Sequence, residues 1–209
     1  MLDVRKIRLT LELRESGISD SNVLSAIEKI PREIFIPKNF RNQAYENIAL
    51  PIENEQTISQ PYIVALMTQS LNLLKNHKVL EIGTGTGYQS SILSLLVRRV
   101  YTIERIKSLL VKAELNFQKL KLTNIVTKHD DGNLGWKEQI PFDRIIFTAA
   151  TKNISKIFFE HISEEGIIIA PIIDGQNQIL TKFEKKNNKI LKSSLTDVLF
   201  VPNLSGKKD

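Results

Sequence analysis

Residues 78–96 read KVLEIGTGTGYQSSILSLL, and this stretch decides the fold. Residues 79–82 are a short apolar run of the kind that forms a buried strand. Gly83, Gly85 and Gly87 follow at alternate positions, where the chain must turn sharply and can approach a ligand closely. Residues 88–96 then switch to helical spacing. A helix starting on such a turn offers unpaired backbone N–H groups to an anion, phosphate or carboxylate. The alternation continues downstream, with strands at 100–103, 125–127, 144–148 and 166–172 and helices at 106–120 and 154–162. Near-continuous apolar strands separated by helices predict a parallel sheet covered on both faces. Residues 178–184 and 189–195 read as two more strands, joined through Asn187 and Asn188, which tolerate positive φ. They predict a hairpin or antiparallel edge added to the parallel sheet.

Upstream, Ser19 or Asp20 is placed to cap a helix whose apolar face is Val23, Leu24, Ile27 and Ile30, and Pro31 stops it. Pro37 and Pro51 bracket an irregular stretch. Pro61 opens a helix running to about residue 75. The expected organisation is one domain over 1–209, with a helical and loop section at 1–60 and an α/β cofactor-binding core at 61–209. The 209 residues are 42% hydrophobic and 25% charged, which is ordinary for a globular domain.

No stretch approaches the roughly 18 apolar residues of a membrane-spanning helix, and the start carries no secretory apolar region. The absence of cysteine excludes disulfides, thiolate zinc sites and cysteine nucleophiles, and fits a cytoplasmic location. Three scattered histidines give no basis for a metal site. The net charge of +6 is spread over the chain without forming one basic stripe, so it reads as lysine-rich solvated surface, and a nucleic-acid partner is not expected.

The ligand of the glycine turn can be narrowed from the residues around it. Glu104 ends the second strand at about the spacing used to hold a ribose hydroxyl pair. A dinucleotide turn would need a small residue where Tyr88 stands, which disfavours a pyrophosphate and a nicotinamide dehydrogenase. Glu81, inside the strand before the turn, suits a cationic ligand head, or else a salt bridge with a lysine such as Lys78. S-adenosyl-L-methionine combines a ribose, an amino-acid end and a positive sulfonium. Ser59 is either a site residue or a helix-start residue satisfying an orphan N–H beside Pro61. Asp131-Gly132 would otherwise be a simple turn.

The run QTISQPYIVALMTQSL at 56–71, followed by KVLEIGTGTGYQSSIL at 78–93, resembles the protein-L-isoaspartate O-methyltransferase family. Further matches are VYTIER, DDGNLGW, FDRIIFTAA, EEGIIIAPI and FVP, so the resemblance spans about 32–202. It implies a doubly wound, Rossmann-like methyltransferase fold of seven strands, mostly parallel, with the last antiparallel and a helical N-terminal extension. It implies methyl transfer from S-adenosyl-L-methionine to the free carboxylate of L-isoaspartyl residues in damaged proteins and peptides. The ester then closes to a succinimide that partly reopens to normal aspartate.

By the same resemblance, Ser59 is the active-site serine. Thr57, Ile58 and Ser59 form a loop that closes over cofactor and substrate. Gly83, Thr84, Gly85 and Glu104 hold the cofactor, Glu104 at the ribose, and Asp131 and Gly132 lie beside the adenine. The sequence departs from the family pattern at Glu53, Asn54 and Glu55, where glycines are usual, at Asp130, and in lacking prolines after Ala150. Carboxylates at 53 and 55 are expected to repel an anionic substrate unless turned outward. An isoaspartyl carboxylate, with a pKa near ~4, is already ionised at neutral pH. Methyl transfer to it then needs positioning rather than a general base. Ser59 would orient the acceptor by a hydrogen bond and not act as a nucleophile. The competing readings are a non-catalytic or altered-specificity S-adenosylmethionine-binding protein, or an RNA or small-molecule methyltransferase. The oligomeric state is left open.

Overall fold

The computed structural model describes residues 3–209. The N-terminal section begins with α1 (Val4–Glu15), capped by Asp3, whose carboxylate accepts from Arg5 N at 3.0 Å. In α2 (Ser21–Lys29) the cap is Asp20, which accepts from Asn22 N at 2.9 Å. Val23, Leu24 and Ile27 are buried in α2, Ile30 is its buried C-cap, and Pro31 follows. A two-stranded antiparallel ribbon, β1 (Leu50–Pro51) and β2 (Thr57–Ile58), precedes α3 (Pro61–Ser70). The sequence predicts α3 to residue 75, but it stops at Ser70. Leu71 N bonds back to Thr68 O, and Asn72 takes the left-handed φ of 49° that the next turn requires. Gln69 Oε1 accepts from both Ser19 N and Asp20 N at 2.8 Å, which ties the end of α3 to the start of α2.

The α/β section runs β3 (Lys78–Ile82), α4 (Tyr88–Leu96), β4 (Arg99–Glu104), α5 (Lys107–Lys119), β5 (Ile125–His129), β6 (Phe142–Phe147), α6 (Lys156–His161), β7 (Ile162–Asp174), β8 (Asn177–Lys186) and β9 (Lys189–Asp197). The seven strands lie in the order β5-β4-β3-β6-β7-β8-β9. β3 to β7 are mutually parallel, and β8 pairs antiparallel with both neighbours. The reversed strand is therefore the sixth, β8, and β9 runs again with the parallel set. Two tight reversals in succession cause this, one at Gly175 (φ 62°) and one at Asn187 and Asn188 (φ 50° and 57°).

After β3 the chain builds outward through β4 and β5, then returns to add β6 on the other side of β3. This switch opens a crevice beyond the carboxyl ends of β3 and β6, where open α/β sheets bind ligands. Alternation along β3 sorts its side chains. Val79 joins the core that includes Ile92 and Leu93 of α4, whereas Leu80 and Ile82 join the opposite core with Ile145 and Phe147. Glu81 shares the parity of Val79, and its side chain lies under α4.

Gly87 N-caps α4 at φ 95°, and a Cβ there would lie 2.5 Å from the Phe117 ring and 3.2 Å from Ala113 on α5. Gly87→Ala combines a left-handed alanine with a core clash, so a loss of about 2–4 kcal/mol is expected in urea unfolding.

Candidate active site

The crevice holds an inner cavity of about 100 Å³. Its floor is the glycine turn. Gly83 (φ 98°) donates from its N–H to Ile103 O at 2.9 Å, and a Cβ there would fall 2.3 Å from Thr148 Oγ1. Gly85 (φ 55°) is different, since an added Cβ would meet only Ile52 Cδ1 at 3.9 Å. Its bare backbone borders the cavity and leaves room for close approach of a ligand. Asn116 of α5 donates to Thr86 O at 3.0 Å and holds the turn from behind.

Glu104 lines the cavity while only 5% exposed. Its Oε2 accepts from Gly85 N at 2.8 Å and its Oε1 from Ile106 N at 2.9 Å. Burial pushes its pKa up, and the backbone donors Ile106 and Gly85 partly counter this. Each oxygen keeps a second lone pair, which suits a pair of hydroxyl donors.

Glu81 lies elsewhere. It is fully buried and lines no part of the cavity. Its Oε2 accepts from Thr102 Oγ1 at 2.6 Å and from Ser90 Oγ of α4, and the Thr102 hydroxyl also meets Thr84 Oγ1 at 2.7 Å. Burial pushes its carboxyl up to about 8, against the smaller lowering effect of Ser90 and Thr102. Strand parity directs Glu81 away from a cationic ligand head, and Lys78 Nζ goes to Gln139 O instead. Both sequence readings of Glu81 give way to a third. It is a neutral brace joining β3, β4, α4 and, through Thr102, the Thr84 hydroxyl. Thr84 reaches the cavity while its side chain faces this network.

Gly132 lines the cavity and packs so closely on Ile82 that a Cβ would lie 2.5 Å from its Cγ2. Asp131 does not line it. Its Oδ1 caps the short helix Gly132–Leu134 through Asn133 N at 2.8 Å, and its Oδ2 accepts from Gly206 N at 2.7 Å. Burial alone would raise its pKa, but the donors Gly206 and Asn133 outweigh that and hold it low. Sequence reasoning gave the C-terminal segment no role beyond the FVP match, yet residues 201–204 form a wall of the cavity. Asn203 bonds Ala150 O at 2.7 Å, and Arg105 Nε bonds Gly206 O at 3.0 Å. Contacts between residues about 50–100 positions apart build this wall, and no local pattern announces them.

Thr57, Ile58 and Ser59 also line the cavity. Ser59 also borders an outer groove of about 570 Å³, edged by Ile48, Ile63 and Leu199. The capping alternative for Ser59 does not hold. The N-cap of α3 is Gln60, and the orphan N–H of Tyr62 is met by Asn47 Oδ1 at 2.9 Å. The departures from the family pattern are turned outward. Glu53 pairs with Lys112 of α5 at 2.5 Å, which lowers its pKa, and Asn54 bonds Ser108 at 3.1 Å. Asp130 pairs with Lys128 at 2.9 Å. Asn54 and Glu55 take left-handed φ values of 59° and 58°, the conformation that glycine adopts most readily.

The family profile described as protein-L-isoaspartate(D-aspartate) O-methyltransferase matches residues 4–208. The chain belongs to this family. A protein-L-isoaspartate O-methyltransferase of Maricaulis maris is 47% identical over 205 residues, covering 98% of this chain and 96% of that protein. Among solved structures, a protein-L-isoaspartate O-methyltransferase superposes with a TM-score of 0.86 at 29% identity, covering 94% of this chain and 65% of that one. A Plasmodium falciparum structure titled for the same activity, in complex with S-adenosyl-L-homocysteine, gives a TM-score of 0.83 at 26% identity and covers 94% and 97% of the two chains. The fold expectation, a mostly parallel seven-stranded methyltransferase sheet, agrees with these likenesses.

The Glu81 brace has a pH signature. Its ordinary pKa is 4.5 and its folded value about 8. Below 4.5 both folded and unfolded states hold the proton, and burial of the neutral group carries no titration penalty. Between 4.5 and about 8 only the folded state keeps it, so stability falls as pH rises across that window. Glu81→Gln lacks this loss. Urea unfolding is expected to show its stability rising relative to the unaltered chain from about pH 5 to about pH 8. A difference independent of pH would refute a neutral Glu81.

Proposed function

We propose that the chain methylates the free α-carboxylate of L-isoaspartyl residues in proteins and peptides, with Ser59 orienting the acceptor. The chain is an S-adenosylmethionine-dependent methyltransferase of the protein-repair class, as its family membership establishes. The observation that carries the residue-level reading is the position of Ser59. It lines both the inner cavity and the outer groove, and so stands where the two meet.

The residues lining the inner cavity suit the groups of S-adenosyl-L-methionine. Gly85 offers bare backbone, Glu104 offers acceptors for a ribose hydroxyl pair, and Gly132 keeps the far side thin beside Ile82. When bound, the cofactor supplies the methyl group as an electrophilic sulfonium carbon. In this reading the 83–85 backbone bears its amino-acid end, Glu104 accepts from the ribose, and Thr57 and Ile58 cover it. Asp131 acts through the C-terminal segment and Glu81 through the turn, so neither touches the ligand.

On the acceptor side the carboxylate arrives ionised, since its pKa is near ~4. No proton has to be removed from it. Ser59 Oγ donates to one carboxylate oxygen and leaves the other to face the methyl donor. What the protein contributes is alignment and exclusion of water. Of the two carboxylates expected to repel the anionic acceptor, Glu53 is paired with Lys112, and Glu55 is solvent-exposed.

Residues from both 1–60 and 61–209 edge the outer groove, which supports treating the chain as one functional unit. Among the described residues no helix is long and apolar enough to cross a membrane. The cysteine-free composition supports a cytoplasmic setting.

Labelled S-adenosylmethionine is expected to label an isoaspartyl peptide and leave its normal aspartyl twin unlabelled. Equal labelling of both, or of neither, would reject the proposal. Ser59→Ala should keep cofactor affinity by calorimetry and slow turnover by about 10–100-fold, the worth of one hydrogen bond to a charged group. Unchanged turnover would remove Ser59 from the mechanism.

A further inference from the structure

Arg32 begins the short helix Arg32–Phe35 directly after Pro31, and its side chain is 0% exposed. Buried arginines are ordinarily matched by carboxylates, because an uncompensated buried cation is unfavourable. Arg32 is met by main-chain carbonyls. Nη1 donates to Ala44 O at 2.9 Å, and Nη2 donates to Ile48 O at 2.9 Å and to Ser59 O at 3.1 Å. Its Nε is buried without a partner, and the guanidinium lies 5.8 Å from the ring of Tyr88, a residue of the inner cavity. Burial lowers its pKa from the usual arginine value. The group still carries its charge at neutral pH.

A well-packed apolar side chain would fill such a place at less expense in desolvation. What an apolar residue would not do is join Ile48 to Ser59. These two residues edge the same outer groove, and one Nη2 holds both carbonyls. Fixing the main chain of Ser59 fixes its Cβ and so limits its Oγ to the few staggered positions around that point. The planar fork also places a positive charge, unmatched by any carboxylate among its hydrogen-bond partners, behind the point where an anionic acceptor enters. We infer that Arg32 is a positioning residue for the acceptor, holding the Ser59 main chain against the 44–48 segment so that the serine hydroxyl meets the incoming carboxylate. This rests on the reading of Ser59 given above.

Arg32→Lys keeps the charge but replaces the fork with a single ammonium that cannot serve Ala44, Ile48 and Ser59 in the same geometry. Kinetics at saturating S-adenosylmethionine, with rates normalised to sites titrated by S-adenosylhomocysteine, remove the contribution of unfolded protein. The expected result is a fall in kcat/KM for an isoaspartyl peptide of about 30-fold, with the S-adenosylhomocysteine Kd within about twofold. In a Ser59→Ala background the same change is expected to lose less than about threefold, because the hydroxyl it places is gone. Arg32→Gln serves as the second variant, read in the same two backgrounds, and should lose at least as much.

Three results would overturn the inference: unchanged peptide kinetics, equal losses in both backgrounds, or a loss that follows cofactor affinity. Failure of the unaltered chain to methylate the isoaspartyl peptide would instead sink the reading of Ser59. An active unaltered chain with an indifferent Arg32→Lys would sink this inference alone.

Discussion

Glu104 accepts from Gly85 N on one side and Ile106 N on the other, at 2.8 and 2.9 Å. That carboxylate fixes the glycine turn leaving β3 against the turn leaving β4, at the place where the sheet order reverses. The turn reaches it because Gly83 and Gly85 both take positive φ, and because Gly83 allows Thr148 of the β6 end to close to within van der Waals reach. Below the turn, Glu81, Thr84, Thr102 and Ser90 form a second, buried polar layer. Two acidic residues one strand apart thus have different tasks. One faces the ligand space, and the other holds the floor on which that space stands.

Around this floor the walls come from distant parts of the chain. The β1–β2 ribbon is tethered to α5 through Glu53–Lys112 and Asn54–Ser108. The C-terminal segment is held by Arg105 and Asp131, which follow neighbouring strands and converge on Gly206. Most of these ties are single polar contacts at or near the surface, individually weak. They cover the cavity without locking it, whereas the central strands β3, β6 and β7 beneath are largely buried. The division suits a site that must admit a cofactor and a protein segment in turn.

The chemistry assigned to the family explains why the site looks sparse. A displacement on an already ionised acceptor requires neither a histidine base nor a metal. Of the three histidines, His77 and His161 sit at strand and helix junctions with pKa values lowered by burial, and His129 bonds Arg105 O at 3.0 Å. The buried ionisable groups near the site, Glu81, Glu104 and Arg32, all have their charge disfavoured by burial. Each is surrounded by polar partners that fix a shape, and shape is what an alignment-driven reaction needs.

The sequence alone determined the β-α alternation, the glycine turn, and that Glu104, Thr57, Ile58 and Ser59 belong to one cavity. These depend on period, glycine φ and short-range spacing, which are local properties. It also gave the extra hairpin through Asn187 and Asn188, though not that β8 is the strand left reversed. Tertiary structure decided the rest. Strand parity under α4 turned Glu81 from a ligand group into a brace, Gly206 claimed Asp131, and Lys112 and Lys128 took up the carboxylates of Glu53 and Asp130. Residues 201–204 became a wall of the cavity, and Arg32 came to rest on Ser59. Apart from the Lys128–Asp130 pair, each of those outcomes needs a partner well removed along the chain, and a side chain's partner across such a distance is set by packing, which no local pattern encodes.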